Sequence, residues 1–528
     1  TTLYSLQFVN YLIMSAMIFV LQTLANNKIV GHGLTVIFFI LNIFLPSMGL
    51  DHLLYRYGAS TGSAVYSDMN GYGPFLLRVR LLQLYWGLGA GILLTLVYLF
   101  WMRGTDNAWA FRLREAKKRF TTPLRSILML LVLGFLAQGS YLYYNTNILN
   151  PYKSEKKQEK DRLHYETTYK EKYDQKPQLM IVKTNAIVDL FPKTLRLKAS
   201  TLYTFENKTK EPIDEMFVNL PVEKKYLTLS FDRSAKLEMD DTQIDVQTFR
   251  INPPVQPGET MSVTYTIDYG YEGIRNGATP TALAGNGTFI NNSSYFPTFG
   301  YSEQAELSTD KMREQYGLKP KPRMHAITDE KARQWNYLTG HDADWIDFET
   351  TVSTDVDQIA IAPGYLQKDW IEGDRRYFHY KMDQKILNFY SFLSARYEVK
   401  RDQWNDVKLE IYYNKGHEYN LDTMMEASKQ GLAYFSENFG PYQSKQFRIL
   451  EFPRYQTFAQ SFPNTIPFSE AIGFIAKVDP KNPKDLDYPY YVTAHELAHQ
   501  WWGHQVVSAD VQGATLLSET LAQYSALM

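Results

Sequence analysis

Four long apolar runs open the chain, at about 3–24, 30–50, 81–102 and 126–149, and none carries a charge in its middle. A helix needs about 20 apolar residues to cross a bilayer, so residues 1–150 read as a transmembrane segment of about four helices. One signal peptide does not account for four such runs. The pattern changes at 152–175, where Lys and Glu dominate and Tyr165, Tyr169 and Tyr173 recur at every fourth position. That spacing predicts a solvated helix with one aromatic stripe, a stalk whose stripe serves packing and which ends at Pro177. From 179 to about 271 apolar and polar residues alternate, as in 195–199, 227–231 and 261–267. A period of two marks strands with one buried face, and turn clusters such as Asn207-Lys208-Thr209 and Pro253-Pro254 separate them. Alternation returns over 345–373, whereas 285–301, rich in Gly, Asn and Ser, reads as a loop near a site. From 407 a β–α pattern begins, with a strand at 409–413, a helix at 424–438 and a strand at 448–452.

These elements divide the chain into a multidomain membrane protein. An α-helical transmembrane part covers 1–150, a charged helical stalk 151–177, an all-β sandwich 178–405 and an α/β domain 406–528. Orientation follows from the loop at 103–125, where Arg103, Arg112, Arg114, Lys117, Lys118, Arg119 and Arg125 face only Asp106 and Glu115. Such a bias marks the cytoplasmic side. The chain is thereby expected to be multi-pass in the inner (plasma) membrane, with the lipid bilayer as partner. Residues after about 150 are then extracytoplasmic (periplasmic). Without a charge inside the spans, no ion or proton path is expected there. Gly87 and Gly91 offer a close helix-packing surface. The net charge of −1 gives no basic footprint for nucleic acid.

Candidate chemistry is concentrated near the end. His495-Glu496-Leu497-Ala498-His499 is an HExxH sequence, and a helix over 490–502 is predicted to start after Pro489 and stop at Gly503. Two histidines four apart share one helix face and grip one Zn²⁺, with the intervening Glu496 placed as general base. A catalytic zinc needs a third protein ligand, and the chain contains no cysteine. The spacing for a third histidine fails, because Trp502 and Gln505 stand at the required positions. Glu519, on a second helix over 516–524, is the candidate, with the turn 508–513 bringing it back. His504 reads as structural. His417-Glu418 is a false start, since Leu421 stands where a second histidine is required.

His-Glu-Leu-Ala-His-Gln-Trp-Trp-Gly followed by Glu519-Thr-Leu-Ala-Gln-Tyr resembles the aminopeptidase N family of zinc metallopeptidases, the gluzincins. The resemblance implies a saddle-like β-domain and then a thermolysin-like catalytic domain, truncated here. It also implies one zinc ion on His495, His499 and Glu519, catalysis by Glu496, and a peptide substrate. Nineteen residues separate His499 from Glu519, one more than the family pattern, and Ser518 stands where asparagine is usual. Counting back from Pro467-Phe468-Ser469-Glu470 places Phe458-Ala459-Gln460-Ser461-Phe462 opposite the family's amine-binding motif. Gln460 and Ser461 thus become substrate-binding candidates, with Ser461 where a glutamate holds the substrate's α-amine. A hydroxyl anchors an ammonium group less strongly than a carboxylate does. The family's oxyanion-steadying tyrosine lies past Met528, and the chain reads as part of a longer polypeptide.

Together with the apolar runs, the whole chain resembles bacterial fusions of an ABC-2-type transporter permease to an aminopeptidase-N-like domain. That likeness implies a separate ATP-binding subunit, because no phosphate-binding glycine loop occurs here. Two functions follow. One is a membrane-anchored zinc metallopeptidase, aminopeptidase-like, cleaving peptides outside the cytoplasm. The other is a transporter ectodomain that binds zinc and peptide with little or no turnover.

Overall fold

The computed structural model describes every residue except 1–3, 26, 60–63, 103–107, 322, 480 and 483. The start of the first run at Leu3, and Arg103 and Asp106 of the basic loop, lie outside the described residues. The chain forms two compact units. The first comprises 1–65, 72–160 and 272–280, and the second 66–71, 161–271 and 281–528.

Three helices of the first unit are long and apolar enough to cross a membrane: Tyr4–Ala25, Phe75–Phe100 and Thr122–Leu149. The run expected at 30–50 is helical only over Lys28–Phe44, a shorter apolar helix. Pro46 opens a 3₁₀ turn there, and left-handed Gly49 closes it, so the apolar run outlasts its helix. Ile13, Ala16, Leu82, Tyr85 and Trp86 pack inside the unit, while Ile29, Leu130, Leu133 and Leu136 point outward. That outward apolar face is compatible with membrane spans. The glycine packing is shifted from its expected place. A side chain at Gly87 meets nothing, whereas Gly89 and Gly91 lie against Phe135 and Leu131. Two of the basic residues have a local task. Arg112 donates to the carbonyls of Thr23 (2.6 Å) and Phe100 (3.1 Å), and Arg119 to that of Trp101 (2.6 Å). Each guanidinium thus satisfies carbonyls that a helix C-terminus leaves open.

After the short segment 66–71, the second unit resumes within the charged helix Glu155–Tyr173. Its stripe of Tyr165, Tyr169 and Tyr173 is buried on Phe217 and Val246. A seven-stranded sheet follows, in the order Tyr365–Glu372, Arg375–Lys381, Ala343–Asp355, Met180–Phe191, Arg196–Glu206, Thr260–Gly270, Leu227–Phe231. Only the pairing of Met180–Phe191 with Ala343–Asp355 is parallel. A four-stranded sheet (Ser234–Asp241, Val246–Val255, Ile213–Asn219, Thr298–Phe299) faces it across one core, in which Val188, Phe205 and Tyr265 meet Val218, Ile251 and Val255. This is the sandwich the alternation predicts. Leu195, expected in a strand, is instead left-handed (φ 52°) and ends a 3₁₀ turn. The segment 285–301 is no open loop. Thr288–Asn291 pairs with Ser391–Ala395, and Phe289, Ile290, Phe296 and Phe299 are buried. Its small polar residues are interleaved with enough apolar ones to fill the core.

The last sheet runs Tyr397–Trp404, Val407–Asn414, Gln446–Phe452, Thr465–Ser469. Its first pairing is antiparallel and the next two are parallel. Tyr397–Trp404 belongs to this sheet, ahead of residue 406. The helix Leu421–Phe439 makes the crossover and buries Met424, Leu432 and Phe435. Leu497, Ala498 and Trp501 fill the same core from the HExxH helix. Gly431 lets the two helices approach, since a Cβ there meets Leu497 Cδ2 at 2.7 Å.

Candidate metal centre

The HExxH helix spans Tyr488–Ala498. It starts two residues earlier than expected, because Pro489 is tolerated in a first turn where no amide is needed. Asp487 caps it by accepting from the Tyr490 amide at 3.0 Å. It also stops earlier. His499 is the C-cap residue, and the chain turns through Trp501 to Gly503, whose φ of 145° suits glycine. The expected extension to Trp502 fails because Trp501 leaves the helical path, is buried, and donates its indole N–H to the Gly440 carbonyl at 2.9 Å.

Both histidines still project to one point. Their Nε2 atoms are 3.2 Å apart, and Glu519 Oε2 lies 3.6 Å from His495 Nε2 and 3.7 Å from His499 Nε2. Ligands about 2.1 Å from a tetrahedral zinc stand about 3.4 Å from one another, so this triangle matches a zinc ligand set. His499 Nδ1 donates to the Trp502 carbonyl at 3.0 Å, which directs its Nε2 lone pair into the triangle. Burial and the neighbouring His495 hold His499 below the usual imidazole range. The hydrogen bond from His495 holds Glu519 below the usual carboxylate range. Both shifts favour forms able to donate electron pairs.

Glu519 arrives on Leu516–Thr520, a π-helical turn that leads into Leu521–Leu527. The preceding turn is held by a partner that the sequence does not announce, the segment 325–341. Asn336 bridges Ala509 and His325 bridges Val511. The amides of Asp510 and Gln512 donate to the carbonyls of Trp335 and His325, both at 2.8 Å. His341 lies 3.2 Å from Asp510, and Tyr337 bonds the hydroxyl of Ser518, directly before Glu519.

Glu496 is buried between the two histidines in sequence. Burial is the main cause that pushes its carboxyl up to about 7; His495 opposes the rise and Glu519 adds to it. Ser461 and Gln460 lie on a hairpin arm that pairs with Thr465–Ser469 through Ala459–Phe468 and Phe462–Thr465, turning at left-handed Asn464. Gln460 contributes its amide, which donates to the Pro467 carbonyl at 3.1 Å. Ser461 is buried, and its hydroxyl accepts from Gln500 Nε2 at 2.6 Å. Gln500 also donates to the Phe462 carbonyl at 2.9 Å and accepts from the Asn464 amide at 2.9 Å. The Ser461 hydroxyl therefore ties the arm to the HExxH segment. His504 is buried as well, its Nε2 donates to the Ser461 carbonyl at 3.0 Å, and burial pushes it down to about 4. It is a neutral structural histidine.

No protein-family model matches the chain, and no curated protein does. Solved structures do. An M1 zinc metallopeptidase from Deinococcus radiodurans is 16% identical, with 67% of this chain and 70% of that one covered and a TM-score of 0.45. A variant of the Deinococcus radiodurans enzyme bound to a Tyr-Ser-Ala substrate is 16% identical, with 66% and 70% covered and a TM-score of 0.43. A two-domain M1 zinc metallopeptidase variant bound to L-tryptophan is 16% identical, with 67% and 71% covered and a TM-score of 0.44.

Proposed function

We propose that the chain is a membrane-anchored zinc metallopeptidase, aminopeptidase-like, that hydrolyses peptides on the extracytoplasmic side. The observation that carries this is the triangle of two Nε2 atoms and one carboxylate oxygen, 3.2, 3.6 and 3.7 Å on its edges. His495, His499 and Glu519 would hold one zinc ion, which supplies an acid for water and for a scissile carbonyl. Glu496 takes and returns the proton, a task suited to a buried carboxyl whose affinity for protons lies near neutrality. Trp502, through its carbonyl, holds the His499 ring in the tautomer that ligation requires. The hairpin arm 458–462, fastened by Gln500, offers an edge beside which an extended peptide lies.

The membrane part is read as the last spans of an ABC-2-type permease working with a separate ATP-binding subunit. The support is three long apolar helices and the basic stretch between the second and third. Purified full-length protein is tested with free and amino-blocked peptides, wild type against Glu496→Gln. Zinc-dependent cleavage that disappears in the variant while zinc content stays the same supports the peptidase. Cleavage of free peptides alone defines an aminopeptidase, and cleavage of blocked ones an endopeptidase. Zinc bound by wild type without turnover replaces the proposal with a zinc- and peptide-binding ectodomain.

A further inference from the structure

His417 belongs to a second convergent cluster, built on other elements than the HExxH helix. The parallel strands Val407–Asn414, Gln446–Phe452 and Thr465–Ser469 are neighbours in one sheet. Their carboxyl ends deliver His417, Glu451 and Glu470 to one place, the end of a parallel sheet where ligands bind. All three side chains are buried, with both glutamates at 0% exposure. One ligand atom from each lies within 4.8 Å of the other two.

Hydrogen bonds fix the positions of all three side chains. His417 Nδ1 meets Glu451 Oε1, and Glu451 Oε2 accepts from the Asn414 amide. Glu470 accepts from the Ser67 hydroxyl at 3.0 Å and from the Asp68 amide at 3.3 Å. Those two residues belong to the segment 66–71, which is part of the second unit and is also fixed by Tyr455, whose hydroxyl donates to the Gly71 carbonyl at 2.9 Å. Asp68 Oδ2 stands 3.5 Å from His417 Nε2 and is half-exposed. Buried oxygens and nitrogen, supporting hydrogen bonds and an entry side are what a metal site requires.

Charge supplies the second argument. Two buried carboxylates face one imidazole, so even a charged histidine leaves one negative charge without a partner in the interior. A divalent cation removes that excess. We infer that His417, Glu451 and Glu470 form a second divalent-cation site, with Asp68 as a fourth ligand, that fastens the segment 66–71 to the sheet. Mixed imidazole and carboxylate ligands suit Zn²⁺ or Mn²⁺.

The site is tested independently of peptidase activity. Full-length H495A/H499A protein is stripped with chelator, reloaded with Zn²⁺ or Mn²⁺, freed of excess metal and assayed by elemental mass spectrometry. One equivalent per chain is expected, falling to none when E451Q and E470Q are added. Either cation is also expected to raise the melting temperature of H495A/H499A by several degrees, and to leave that of H495A/H499A/E470Q unchanged. Circular dichroism confirms that each variant is folded. The inference is overturned if folded H495A/H499A binds neither metal. It is equally overturned if E451Q and E470Q raise the melting temperature of a parent that binds none, since the cluster then only shares a proton.

Discussion

Gln500, the residue after the second histidine, fastens the hairpin arm to the HExxH segment, and its removal has a calculable cost. It is fully buried. In Gln500→Ala the Asn464 amide, 2.9 Å from Gln500 Oε1, loses its acceptor in a site with no access to water. A buried donor left without a partner costs about 1–3 kcal/mol. The bonds from Nε2 to Ser461 (2.6 Å) and to the Phe462 carbonyl (2.9 Å) are also lost, at about 0.5–1.5 kcal/mol each. The Phe462 carbonyl keeps the Thr465 amide at 3.1 Å, so it is not orphaned. The total comes to about 4 kcal/mol. Gln500→Glu separates this account from a simple loss of volume. It preserves the acceptor for Asn464 but sets a carboxylate oxygen against the Phe462 carbonyl, so it costs at least as much despite its matching shape. Denaturant unfolding of the purified protein measures both, and hydrogen exchange resolved to 458–469 localises the effect at the Asn464 amide. A Gln500→Ala variant within about 1 kcal/mol of wild type, or unaltered protection of that amide, refutes the reasoning.

Two further perturbations test the second unit. Asp342 is buried, its carboxylate accepts from the Phe299 amide at 3.0 Å, and burial pushes it from 3.8 up to about 6. The protonated acid is the stable form, so its contribution is full below pH 3.8 and is lost as pH rises through about 6. Asp342→Asn should therefore gain on wild type by up to about 3 kcal/mol between acid and mildly alkaline pH, at about 1.4 kcal/mol per pH unit. Paired unfolding curves at the two pH values measure this, and a difference independent of pH sinks it. Glu519→Gln keeps the shape of the side chain but removes its charge, and with the proposed ligand set should weaken zinc binding by well over 10-fold in competition with a chelator.

What the sequence discloses is what local spacing encodes. His495 and His499 are four positions apart at the end of one helix, and no distant contact is needed to bring the two rings to one point. The first strand of the β–α–β pattern from 407 is legible for the same reason, because buried Val407, Leu409 and Ile411 alternate with Lys408 and Glu410, whereas Gln446–Phe452 is buried throughout and reads only as a short apolar run. The helix ends were misjudged where long-range packing overrides period. Trp501 fits the helical face on paper, but its indole reaches Gly440 only once the chain leaves the helix at His499. The support of Glu519 by 325–341 was illegible because bridges such as Asn336–Ala509 join residues far apart in the chain, with no pattern in either segment.

His417 shows the same limit from the other side. Judged by spacing along one helix it is a failed HExxH, and that test is the wrong one, because its partners lie at the ends of the next two strands of the sheet. In a parallel sheet, residues at successive strand ends are adjacent in space while a whole crossover separates them in sequence. Glu451 and Glu470 each sit one strand further on, and each looks like an ordinary charged residue at the edge of an apolar strand. A buried carboxylate at such a strand end must find a counter-charge or keep its proton. Strand order, once known, shows which buried carboxylates share that requirement.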